Sequence, residues 1–211
     1  MATAVGLERD RAFYPTVTIV IASYYALFAQ VRASHSDNIR RARRGAHMWF
    51  RRKPKSDPAE TIRGLRQHAL TVSAADLGLG PTADRMRVWG VIMETGYPEA
   101  VATLVVLGEG TTSLYFSNGG GVIGAGEHDA VRAAGEILLS SAEEYLDSFT
   151  VVAATPFPGV GQVRFYLRTF TGTLGAEANE EDLGEGRHKL SPLFHTAHSV
   201  ITAVRESTPS S

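Results

Sequence analysis

The chain has 211 residues, with 21 Lys and Arg against 22 Asp and Glu, a formal net charge of −1, and no cysteine. That length suits one domain plus an appendage, with enough apolar sequence to bury a core without covalent staples. The lack of cysteine excludes disulfides, thiolate metal sites, iron–sulfur clusters and cysteine nucleophiles, and it fits a cytoplasmic protein.

The near-zero net charge hides an asymmetry. Met1 to Asp57 carries eleven basic and four acidic residues, whereas Pro58 to Ser211 carries ten and eighteen, giving +7 and −8. Halves so different predict separate roles: a basic N-terminal extension over 1–47, one domain over 48–206 and a disordered tail over 207–211. Within the extension, Phe13 to Val31 is free of charge and a cluster including Arg40, Arg41, Arg43 and Arg44 follows. One reading is a membrane anchor over 13–31 with its basic flank in the cytoplasm, although Pro15, Thr16, Ser23 and Gln30 make the run polar for a span. A second is a start codon assigned too early. Met48 opens a run, Met-Trp-Phe-Arg-Arg-Lys, that looks like a bacterial start, and Arg43-Arg44 written as AGGAGG would stand where a ribosome-binding site belongs. A third is an ordinary extension. Nucleic acid is not an expected partner, because the only aromatic residues beside the basic cluster are Trp49 and Phe50.

Asp57 as N-cap and Pro58 at the first helical position predict a helix with Ile62, Leu65, Ala69 and Leu70 along its apolar stripe. Three strand-like runs follow, Val88–Thr95, Ala100–Leu107 and Thr111–Ser117, joined by turns short enough for antiparallel neighbours. A second helix is predicted over Glu127–Asp147 from the spacing of Val131, Ala134, Leu138, Ala142 and Tyr145. Thr155–Gly161 reads as a connector. Gln162–Thr171 alternates as a fourth strand, a fifth is expected near Leu174–Ala178, and Asn179–Arg187 reads as a loop. Ser191 and Pro192 open a last helix. The order α-β-β-β-α-β-β-α predicts an α+β fold: a five-stranded antiparallel sheet with flanking helices. It comes close to the roadblock, longin and profilin-like scaffolds, an analogy of fold that carries no function.

Several groups of residues invite a functional reading. Asn118 to Gly126 lies between a strand and a helix, and Gly119, Gly121 and Gly124 satisfy G-x-G-x-x-G. The parallel strand and distant acid of a dinucleotide site are missing, so the alternatives are a wide turn that needs glycine or an anion-binding nest with His128 beside it. His188, His195 and His198 contain the spacing of a metal pair. On a helical wheel, however, His195 and His198 fall opposite the apolar stripe, which predicts surface histidines. Arg164 and Arg168, with Tyr166 between them on one strand face, suit an anion or a partner's carboxylates, against the plain reading of a solvated face. Trp89, Tyr97 and Tyr115 are expected in packing. No cofactor is predicted.

The runs Trp89–Pro98, Gly110–Gly124 and Asp182–His188 resemble an uncharacterised bacterial protein family over about residues 48–205. The resemblance implies a bacterial cytoplasmic protein beginning near Met48 and carries no activity. The expected function is a non-catalytic protein-interaction module, engaging a partner or pairing as a homodimer through a sheet edge or helix face. The alternatives are a small-molecule or nucleotide-binding enzyme using the Gly119–Gly126 loop, and a membrane-tethered module.

Overall fold

The computed structural model describes residues 57–83 and 85–208. The membrane-anchor, early-start and basic-arm expectations, and the end of the tail, lie outside these residues. Helix α1 (Pro58–Thr71) begins as the sequence predicts, with the Asp57 carboxylate accepting from the Ala59 N–H at 3.1 Å and proline in the first turn. The central strands are β1 (Val88–Gly96), β2 (Val101–Leu107), β3 (Thr112–Phe116), β6 (Gln162–Thr169) and β7 (Gly172–Asn179).

The architecture is α+β with an antiparallel sheet and flanking helices, but the sheet has seven strands where five were expected, in the order β4-β3-β2-β1-β6-β7-β5. The additional strands, β4 (Gly121–Val122) and β5 (Thr150–Val151), are two residues long and form the two edges. Two residues cannot display an alternating pattern, and Gly121 lies inside a glycine run, so neither strand carries a readable periodicity.

Both faces of the sheet are covered. Helices α2 (Asp129–Ala142) and α4 (Ser191–Ser207) pack together on one face against Val91, Met93, Leu104 and Phe165. Helix α1 packs on the other, against Trp89, Ile92, Val105, Tyr115 and Tyr166. The middle strand β1 is therefore buried along its whole length. The second helix is shorter than predicted because tight 3₁₀ turns at Ala125–Glu127 and Glu143–Ser148 flank it. Within the expected acidic loop a short helix forms, α3 (Glu180–Gly184), whose N-cap Asn179 accepts from the N–H groups of Glu181 and Asp182.

Candidate functional site: a polar row beneath a strap

On the α1 face, strand register sets Tyr115, Thr103, Glu94, Arg164 and Glu177 side by side across β3, β2, β1, β6 and β7. Glu94, at the centre, is 0% exposed. Arg66 reaches down to it from α1 with a bidentate pair, Nε to Oε1 at 2.5 Å and Nη2 to Oε2 at 2.7 Å. The Thr103 hydroxyl donates to Oε1 at 3.1 Å. Burial works against the Arg66 charge, but the hydrogen bond and attraction from Glu94 outweigh it and hold its pKa above the ordinary arginine value. Tyr115 places its hydroxyl in the same layer without a hydrogen-bond partner, and burial together with the Glu94 charge pushes this phenol up.

Over this row runs the segment that joins β5 to β6, residues 152–161, which crosses the sheet as a strap. Side chains rather than a strand ladder hold its middle. Arg66 Nη2 donates to the Thr155 carbonyl at 2.7 Å, and its guanidinium lies 4.1 Å over the Phe157 ring. Arg164 Nη1 and the Tyr166 hydroxyl both donate to the Pro156 carbonyl, each at 2.9 Å. At the far end the Gly161 N–H donates to Gly96 O at 2.9 Å, and the chains approach so closely that a Cβ on Gly96 would stand 2.0 Å from Gly159 O.

Between the strap and strands β6 and β7 opens a cleft of about 620 Å³. Its walls include Val151, Val152, Ala154 and Pro156, and its floor holds Tyr166 and the cross-strand ion pair of Arg164 with Glu177. No protein-family model, curated protein or solved structure matches this chain.

The glycine-rich loop is a hairpin. Gly119 N–H donates to Phe116 O, Phe116 N–H donates to Gly120 O, and Gly121 pairs with Tyr115. Gly121 has φ +140°, and a Cβ there would meet Leu114 O at 2.4 Å; one on Gly119 would meet Pro58 at 2.9 Å. The backbone approaches that require these glycines are thus made to β3 and α1. Asn118 reaches the Glu99 carbonyl at 3.5 Å, Gly124 adopts φ +76° ahead of the 3₁₀ turn, and His128 is exposed at the N-cap of α2.

The histidines are not the surface set the wheel predicts. His195 is exposed, but His198 is buried, with its ring 4.2 Å from that of Phe194. The reason is the breadth of the covered arc of α4, where Phe194, His198 and Ile201 follow one another at helical spacing beside Leu193, Ala197 and Val204. His198 Nε2 has no hydrogen-bond partner, and burial, with a smaller contribution from His195, lowers its pKa to about 4. His188 accepts through Nδ1 from the Leu190 N–H at 3.2 Å. Among the described residues no three His, Asp or Glu side chains stand close enough to share a metal ion, and no helix is long and apolar enough to cross a membrane.

The face of β6 that carries the arginines is likewise covered, not solvated. Arg168 donates to the Leu70 and Val72 carbonyls at the end of α1 and stacks 4.9 Å over Trp89. It satisfies acceptors that a helix C-terminus leaves open. Tyr97 donates to Glu180 at 3.0 Å. Arg66, Glu94 and the strap escaped the sequence reading. Arg66 does carry a signal, since it falls four residues after Ile62 on the apolar stripe of α1, where a solvated arginine has no place.

Proposed function

We propose that this domain is a non-catalytic protein-interaction module whose contact surface is the strap and the β5 edge leading into it, engaging a partner protein or a second copy of itself. The observation that carries the reading is the stretch Val151–Val160. It contains no charged residue, although residues 58–211 together carry a net charge of −8, and it leaves Val151 82%, Phe157 43% and Val160 66% exposed. Apolar surface gathered in this way marks sites of association. The polar row supports the reading from beneath: its charges are taken up by one another and by the carbonyls of Thr155 and Pro156, so it serves as a scaffold that holds the strap in shape. We assign no ligand to the Gly119–Gly126 loop, because its closest approaches are to the protein's own backbone.

Sedimentation of the purified full chain at micromolar concentration tests the proposal. A dimer, or a complex with a co-purifying protein, that gives way to monomer on Val160→Asp is the expected result. A monomer with no bound protein contradicts it.

A further inference from the structure

We infer that the cleft beside the strap receives an extended, uncharged apolar segment of the partner; this rests on the interaction reading above and names what its recess recognises. The cleft is internally charge-balanced. Arg164 on β6 faces Glu177 on β7, and the wall contributed by the strap has no charged side chain. An incoming Lys, Arg, Asp or Glu side chain would lose hydration against Val151, Val152 and Pro156 without an unpaired opposite charge to meet. An uncharged segment incurs no such cost.

The floor also matches a peptide backbone. Every non-proline residue presents one N–H donor and one C=O acceptor. The Arg164 guanidinium supplies donors and the Glu177 carboxylate supplies acceptors, side by side on neighbouring strands. Gly175 lets the strap close down on this floor, since an added Cβ there would stand only 2.8 Å from the Val152 side chain. The cleft volume of about 620 Å³ falls within the roughly 300–1,000 Å³ of sites that enclose a small ligand or a few residues of chain. The floor is built on two strands paired with each other along their whole length, so the recess is formed before a partner arrives.

The test is selection of displayed random ten-residue peptides on the immobilised full chain, followed by affinity measurement with the enriched peptides as synthetic probes. Enrichment of uncharged apolar sequences, with binding weakened at least tenfold by Val151→Asp and by Glu177→Lys and unchanged by Ile137→Asp on α2, is the expected result. Thermal unfolding of each variant confirms that the fold survives, and Val151, Ile137 and Glu177 are exposed enough for it to do so. No enrichment, enrichment of charged sequences, or binding indifferent to both cleft variants overturns the inference. In that event a complex disrupted by Val160→Asp, which lies on the strap outside the cleft lining, would still uphold the broader proposal.

Discussion

At the scale of single residues, the centre of the molecule is a charge pair that the hydrophobic pattern does not announce. Glu94 is wholly buried and is neutralised by Arg66 from another layer. Removing one partner strands the other, which typically costs about 3–5 kcal/mol, while removing both costs much less than the sum. Arg66→Met is therefore expected to lower unfolding stability by an amount in that range. The double variant Arg66→Met with Glu94→Gln should recover a substantial part, as a urea-denaturation double-mutant cycle would measure. His198 gives a second expectation. Its folded-state pKa of about 4 lies below the ~6.5 of an unfolded imidazole, so protonation favours the unfolded chain. The contribution is intact above about pH 6.5 and is lost as the pH falls toward 4, amounting to about 3 kcal/mol at most. Replacing His198 with Leu should flatten that share of the pH dependence, read as the difference between wild-type and variant unfolding curves at pH 7 and 4.5. Legibility was uneven at this scale. The wheel missed His198 because it assumed a narrow buried stripe, whereas α4 is covered by both α2 and the sheet.

At the scale of elements, the sequence reading located α1, the three-strand meander, the β6–β7 pair and the last helix, because each has a strong period bounded by caps or turns. It missed the edge strands and α3, whose few residues show no period, and it read the strap as a plain connector. What the strap does depends on carbonyls held by Arg66, Arg164 and Tyr166, and contacts between residues distant in sequence leave no local pattern. The glycine loop makes an element-scale prediction. Gly121→Ala combines φ +140° with a Cβ driven into β3, whereas Gly110→Ala has φ +104° with open space around it. Backbone strain alone costs about 1–2 kcal/mol. Thermal unfolding should show a modest loss for Gly110→Ala and a clearly larger one for Gly121→Ala. Equal losses would mean that the β3–β4 hairpin does not depend on the close approach.

At the scale of the whole molecule, three of the large exposed apolar side chains among the described residues, Val151, Phe157 and Val160, stand on one uncharged segment, while Met86, Ile123 and Ile137 are exposed elsewhere. On the proposed reading, contact is directed to the strap because apolar side chains are exposed there with no charge among them. On that reading Arg66, Glu94 and Arg164 would act at a distance from the partner, by fixing the shape of the strap. The most direct test is a photo-crosslinking amino acid placed at position 160 in the full chain, inside its native cells, with position 137 on α2 as the comparison site. Both positions carry exposed apolar side chains, but only Val160 belongs to the strap. The account predicts a discrete crosslinked species, to a second copy or to one other protein, from position 160 and none from position 137. No discrete product from position 160, or the same products from both positions, would contradict it.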